Sequence, residues 1–328
     1  MLIINLNQDK SKINKYLSNT LLKELENILN IGKKAIIYIN KKGEYSSLIC
    51  KNCQKIFKCK NCDSSMSIHS EKMICHICGN IENLKTKCDN CFSDELLKVG
   101  VGTEQIEKTL KNIFGEKKIF RLDSQNIKNK SEKQNSLKLI HDSDIIIGTK
   151  MITTGFNFSG IGLIAVILIE QELQMTKFNS EEKLFTNIKQ LIGRGERKGE
   201  KTKFIIQSFI PENQTINMIC EDNYKNFFIK TLKERKIFNY PPFTEYAILE
   251  YRNKDKQKAF DYTKNLKDKL DFFNKNQEIE IIFTKNPFKK YNKYHYKIIL
   301  KGNKIRNFLE NIKKEIFKES NLSLIFET

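Results

Sequence analysis

No run of about 18 apolar residues occurs in this 328-residue chain, so no segment is expected to span a membrane. The first ten residues, MLIINLNQDK, turn polar at Asn5 and do not read as a secretory leader, and a cytoplasmic location is expected. Acidic residues are in deficit: 39 Asp+Glu stand against 58 Lys+Arg, a net charge of +19. A surplus that large suits a polyanionic partner such as nucleic acid. Lysine, asparagine and isoleucine are abundant throughout, as an AT-rich genome would produce, so charge alone is a modest argument. The sequence contains no G-x-x-x-x-G-K-[ST] loop and no D-E-x-H-like motif. Residues 195–202 (GERKGEKT) come near, but the glycine spacing is wrong and no strand precedes them. These residues alone therefore do not supply a phosphate cradle with magnesium carboxylates.

What the chain does have is a cysteine cluster. Eight of its nine cysteines fall between Cys50 and Cys91 as four C-x-x-C pairs: Cys50/Cys53, Cys59/Cys62, Cys75/Cys78 and Cys88/Cys91. Two residues between thiolates form a tight knuckle that aims both sulfurs at one ion, and two knuckles complete a tetrahedral Cys₄ site. Four knuckles imply two zinc ions with closed shells, hence structural. Disulfides are the alternative, and the absence of a leader argues against them. His69 and His76 are expected to be bystanders, because eight thiolates already suffice. The gap from Cys53 to Cys59 is too short for an ordinary ribbon arm, which favours nesting: Cys59/Cys62/Cys75/Cys78 inside, Cys50/Cys53/Cys88/Cys91 outside. Interleaved pairing also fits the count.

Around the cluster the pattern alternates. Leu2–Leu6 reads as a strand. Asn19 or Thr20 is expected to cap a helix carrying Leu21, Leu22, Leu25, Ile28 and Leu29, stopped at Gly32. Ala35–Ile39 is a short apolar run, as in a strand buried on both faces. After the last knuckle, helices through Ile106 and Leu110, over 131–141 and over 181–192 alternate with strands at 119–122, 145–147, 163–169 and 204–209. Such alternation predicts a parallel sheet covered on both faces, an α/β fold from which the cysteine segment is an excursion. Pro211 marks a boundary, followed by a helical connector to Tyr240-Pro241-Pro242-Phe243. Beyond it, strands at 246–251, 279–283, 294–300 and 322–326 and helices at 256–272 and 305–317 predict an α+β domain of the split βαβ kind.

Two motifs sit where phosphates could be met. Residues 190–197 (QLIGRGER) place Arg194 and Arg197 three apart beyond a helix, where arginine can neutralise a transferring phosphoryl group; a solvated basic turn is the plainer reading. Gly148-Thr149-Lys150-Met151 lies at a strand's carboxyl end, where open α/β sheets bind ligands. Residues 285–297 (KNPFKKYNKYHYK) interleave lysines with aromatics, and Lys289, Lys290, Tyr291, Lys293 and Tyr294 are candidate DNA contacts. A solvated loop in a lysine-rich protein is the alternative there.

In order, the chain shows N-K-K-G at Asn40, the four knuckles, G-V-G-T-E-Q at Gly100, R-L-D at Arg121, I-I-I-G-T-K-M at Ile145, Q-L-I-G-R-G-E-R at Gln190, then E-R at Glu234 and Y-P-P-F at Tyr240. That order resembles the C-terminal half of the PriA family of replication-restart helicases (primosomal protein N′), across nearly the whole chain. The resemblance implies a second RecA-like helicase lobe over 1–44 and 97–210, a zinc-binding insert over 45–96, a connector over 211–244 and a C-terminal domain over 245–328. It implies nested zinc pairing, with Arg197 the arginine finger, Arg194 its companion, and Gln190, Gly193, Gly148 and Thr149 on the nucleotide side. It also implies 3′→5′ helicase activity on forked or single-stranded DNA, with primosome proteins and single-stranded DNA-binding protein as partners. The family's N-terminal DNA-binding domain and first lobe have no counterpart here, so ATP and Mg²⁺ are expected only with a separately supplied lobe. Three positions depart from the family pattern: Glu196 replaces a glycine between the arginines, Thr154 a lysine before Gly155, and Glu170 an aspartate. Two rival readings are a non-enzymatic zinc module that binds DNA or primosome proteins, and a decaying gene fragment.

Overall fold

The computed structural model describes residues 1–39, 47–60, 66–69, 71–75, 80–122, 137–153, 158–173, 178–195, 202–276, 278–284, 287–290, 292–317 and 319–327. They fall into two compact units, one of residues 1–57 and 84–224, the other of 58–83 and 225–328. The cysteine segment is thus shared between the units. Among the described residues no helix is long and apolar enough to cross a membrane.

The first unit is built on a sheet of six parallel strands: β1 (Leu2–Asn5), β2 (Lys34–Tyr38), β8 (Ile119–Leu122), β9 (Ile145–Gly148), β10 (Ile161–Ile167) and β11 (Lys203–Ser208), in the order β1-β11-β10-β2-β9-β8. The intervening numbers belong to the cysteine segment: β3 (Ser47–Cys50), β4 (Ser67–His69), β5 (Lys72–Ile74), β6 (Ile81–Asn83) and β7 (Leu96–Val99). The central strands are apolar without alternation, and every residue of β9 and β10 is buried. A strand with no polar face has to be covered on both sides, which is why the connections are helices. The helix Asn19–Asn30 lays Leu21, Leu25, Ile28 and Leu29 inward, close to β10 and β2. It approaches so closely at Gly162 that a Cβ there would lie 2.9 Å from Ile28 Cγ2. The helix Ser180–Gly195 buries Leu184, Phe185, Ile188 and Leu191 near β10.

Two details differ from expectation. The cap of the first helix is Ser18, whose Oγ accepts from Leu21 N at 2.9 Å, not Asn19 or Thr20. Those two residues lie inside the first turn, where the Asp9 carboxylate accepts both of their backbone amides at 3.1 Å and satisfies two donors that a helix start leaves open. The strand expected to reach Ile169 stops at Ile167, because Leu168 turns left-handed at φ 58° and releases the chain into the short helix Glu170–Leu173. Of the helix expected over 131–141, residues 137–142 are helical and the earlier part lies outside the described residues.

In the second unit, β12 (Glu245–Asn253), β13 (Ile279–Phe283), β14 (Phe288–Lys290), β15 (Lys293–Gly302) and β16 (Leu322–Glu327) form an antiparallel sheet ordered β13-β15-β12-β16, with β14 hairpinned onto β15. Alternate residues Ala247, Leu249, Ile298 and Leu300 meet Leu266 and Leu270 of the helix Lys256–Phe273 and Ile305 and Leu309 of the helix Ile305–Asn311 in one core. Asp255 caps the longer helix through Lys258 N at 3.0 Å. With β14 set aside, this is the β-α-β-β-α-β order read from the sequence. The stretch expected as a connector holds the helix Gln214–Cys220, which belongs to the first unit, and the helix Tyr224–Ile237.

Candidate metal centre and the carboxyl edge of the sheet

β3 and β7 pair antiparallel from Ser47↔Val99 to Cys50↔Leu96, and this ribbon brings the first knuckle beside the fourth. The Sγ atoms of Cys50, Cys53, Cys88 and Cys91 all lie within 4.8 Å of one another. Cys50 Sγ is 3.5 Å from Cys91 Sγ, and Cys53 Sγ is 3.5 Å from Cys88 Sγ. A cystine would hold its sulfurs at about 2.0 Å. Thiolates about 2.3 Å from a shared zinc stand about 3.8 Å apart along a tetrahedral edge, so the donor set fits a tetrahedral ion.

Three of the knuckles share one backbone device. The amide of the first cysteine donates to the carbonyl five residues on: Cys50 to Lys55, Cys75 to Asn80, Cys88 to Ser93, at 2.9, 2.8 and 2.8 Å. That closure forces the residue after the second cysteine into the left-handed region, φ 59° at both Gln54 and Phe92. Asn90 N donates to Cys88 Sγ at 3.4 Å and Asn52 Nδ2 to Cys91 Sγ at 3.7 Å, so donors face the sulfurs from the turns. Burial pushes the Cys50 thiol up to about 12. Burial also opposes ionisation of Cys53, but donors from Asn90, the Lys55 backbone, Cys91 and Cys88 outweigh it and bring that thiol down to about 6.

Of the other two knuckles, Cys59 and Cys75 are described and both are buried. Asn80 links them: its carbonyl accepts from Cys75 N and its Nδ2 donates to Cys59 Sγ at 3.6 Å. Cys59 and Cys75 thus share one neighbourhood. Cys62, Cys78 and His76 lie outside the described residues, as does the side chain of His69.

At the carboxyl ends of the parallel strands, Gly148 closes β9 against β8. A Cβ there would lie 2.5 Å from Leu122 O and 2.7 Å from Ile152 Cδ1, so the position needs glycine for close approach. Thr149 follows, half-buried, its carbonyl accepting from Ile152 N at 2.9 Å. On the helix Ser180–Gly195, Gln190 and Gly193 are exposed. Arg194 donates through Nη2 to Thr153 O at 2.8 Å, bracing the helix end against the turn Lys150–Thr153. Thr154, Gly155, Glu196 and Arg197 lie outside the described residues.

This edge holds two buried carboxylates. Glu170, which the sequence marked only as a departure, accepts from Phe209 N at 2.7 Å and Ser208 Oγ at 3.0 Å. Burial raises it to about 7 against those two hydrogen bonds. Glu172, unremarked in the sequence, accepts from the Tyr38 hydroxyl and from Asn187 Nδ2 at 3.1 Å. Burial raises it too, opposed by those donors and by the charge of Lys150. The signal for both was available: E-Q-E directly after the most apolar strand puts acids where only partnered ones survive.

Of the proposed DNA contacts, Lys289 and Lys290 lie on β14 opposite Tyr294 and Lys293, with their side chains outside the described set, as is Tyr291. Lys293 and Tyr294 are half-buried. Tyr294 packs against the buried Tyr251 and Tyr296, and on the other face of the strand His295 Nδ1 lies 2.8 Å from Glu250 Oε1 and Lys297 Nζ 3.4 Å from Glu250 Oε2.

No protein-family model matches the chain. Among curated proteins it is similar to the replication restart protein PriA of Chlamydia pneumoniae, 31% identical over 246 residues, covering 73% of this chain and 33% of that protein. The Thermotoga maritima protein of that name is 28% identical over 313 residues, covering 94% of this chain and 42% of its own length. For the Bacillus subtilis protein the figures are 28% over 243 residues, 73% and 30%. The chain spans about a third of the length of the relatives it matches. With its first and fourth knuckles brought together and its motifs in the family's order, the chain belongs to the PriA replication restart proteins, of which it represents a part.

Proposed function

We propose that this chain is the C-terminal part of a replication-restart DNA helicase acting 3′→5′. In this reading the six-stranded unit is the second RecA-like lobe, the cysteine segment its two-zinc insert with nested pairing, and residues 245–328 the C-terminal domain. The lobe contributes the arginine side of an ATP site, with Arg197 as finger, Arg194 beside it, and Gln190, Gly193, Gly148 and Thr149 lining the edge. Sequence outside these 328 residues supplies the phosphate cradle and the magnesium carboxylates. Forked or single-stranded DNA is the substrate, Lys289, Lys290, Tyr291, Lys293 and Tyr294 contribute contacts, and primosome proteins and single-stranded DNA-binding protein are partners. The observation that carries the reading is the joining of the first and fourth knuckles by a ribbon rooted in a parallel-sheet unit, in a chain that matches PriA proteins over most of its length.

The test is phosphate release measured with malachite green in the presence of single-stranded DNA. The chain alone is expected to show no turnover. Adding a polypeptide with a Walker A loop and a D-E-x-H-like motif is expected to produce turnover that Arg197→Ala abolishes. Turnover by the chain alone that Arg197→Ala removes would overturn the two-part site.

A second reading, a zinc-stabilised DNA-binding module without catalysis, is favoured by the Arg194 brace, which occupies one of the two motif arginines inside the unit. Copurification with a Walker A-bearing partner separates the two.

A further inference from the structure

The first and fourth knuckles are equivalent in backbone and different in what they carry. In each, the residue after the second cysteine is left-handed at φ 59°, a conformation glycine adopts freely and other residues adopt at a cost. At the first knuckle the occupant is Gln54, and its Oε1 accepts from Glu212 N at 3.1 Å, docking the turn against the rest of the unit. At the fourth it is Phe92, a residue 77% exposed. The turn is closed by two backbone hydrogen bonds, Phe92 N to Cys88 O at 3.0 Å and Cys88 N to Ser93 O at 2.8 Å, one residue from a sulfur of the four-cysteine group.

An aromatic held in a left-handed turn with most of its surface exposed points to a contact with another molecule. Its surroundings narrow the class. Its neighbours in the chain, Asp89, Asn90, Asp94 and Glu95, are exposed and polar, unlike the apolar rim that surrounds an aromatic anchor in a protein interface. The same acids disfavour a phosphate contact at this spot. A lone ring with an accessible face and polar neighbours suits stacking on an unpaired base, whose backbone is carried by lysines elsewhere in a chain of net charge +19.

We infer that Phe92 is a stacking platform for an unpaired base of single-stranded DNA, set on the metal knuckle. This rests on the DNA-binding reading above. The test titrates the full zinc-loaded chain against a single-stranded oligonucleotide carrying 2-aminopurine, following anisotropy for affinity and 2-aminopurine emission for stacking. Phe92→Ala is expected to weaken binding by about 5- to 150-fold and to abolish quenching, while Phe92→Tyr retains both. Zinc content and circular dichroism of both variants are expected to match the parent. If the parent binds and quenches and Phe92→Ala does so equally, the platform is refuted and DNA binding stands. If the parent binds no oligonucleotide, both fall. If Phe92→Ala leaves oligonucleotide binding unchanged but abolishes self-association of the chain, the ring serves a protein contact and the inference is wrong.

Discussion

The amide-to-sulfur hydrogen bonds around Cys88 and Cys91 and the 3.5 Å sulfur contacts make each ligand's role testable singly. Cys88→Ser is expected to lower bound zinc by one ion per chain, read by plasma emission on the purified protein. Phe92→Gly should do the opposite of harm: removing the left-handed strain of a non-glycine residue is expected to stabilise the zinc-loaded knuckle by about 1 kcal/mol in urea unfolding, with zinc content unchanged. Glu170 provides a pH test. Its folded value of about 7 lies above the ordinary 4.5, so the folded state binds the extra proton more tightly. Its contribution is full below pH 4.5 and is lost as pH rises toward 7, on the order of 3 kcal/mol across that window. Glu170→Gln, which keeps an acceptor for Phe209 N, is expected to flatten the fall in melting temperature between pH 4.5 and 7. An unchanged slope would show that the burial of this carboxyl does not set its proton affinity.

Among elements, the helix Ser180–Gly195 is tied to the sheet's carboxyl edge at two polar points, Asn187 to Glu172 and Arg194 to Thr153. Glu172→Ala leaves the Tyr38 hydroxyl and the Asn187 amide without this acceptor in a buried site, and is expected to cost about 1–3 kcal/mol in urea unfolding, with Glu172→Gln closer to the parent. Gly148→Ala drives a Cβ into Leu122 O and is expected to cost a similar 1–3 kcal/mol, roughly the range for overpacking. The elements themselves were largely legible in the sequence. Uninterrupted runs such as Ile145-Ile146-Ile147 have no solvent face to offer, and the periodic Leu21, Leu25 and Ile28 could only be a helix stripe. What was not legible came from partners distant in sequence. Asp9 supplying the first turn of a helix that Ser18 caps depends on a ten-residue loop folding back, and the Tyr38–Glu172–Asn187 cluster joins residues up to about 150 apart in the chain, which no local pattern announces. The cysteine pairing was half legible. Spacing singles out the cysteines, but only the β3–β7 register brings the first knuckle beside the fourth.

At the scale of the molecule, charge and metal set the expectations. Binding to single-stranded DNA should weaken with salt in proportion to the phosphates contacted, about 0.7 log unit per contact per decade. The double change Lys289→Glu with Lys290→Glu should lower that slope by roughly 1.4 if both lysines meet phosphate; an unaltered slope would remove the β14–β15 hairpin from the DNA surface. The account as a whole depends on thiolates from separated knuckles being gathered around metal. The most direct measurement is zinc per chain in the purified protein and in paired variants. Two zinc ions are expected in the parent, one in Cys50→Ser, one in Cys59→Ser and none in the double variant. A folded parent without zinc, or one whose knuckle sulfurs titrate as cystines, would contradict it.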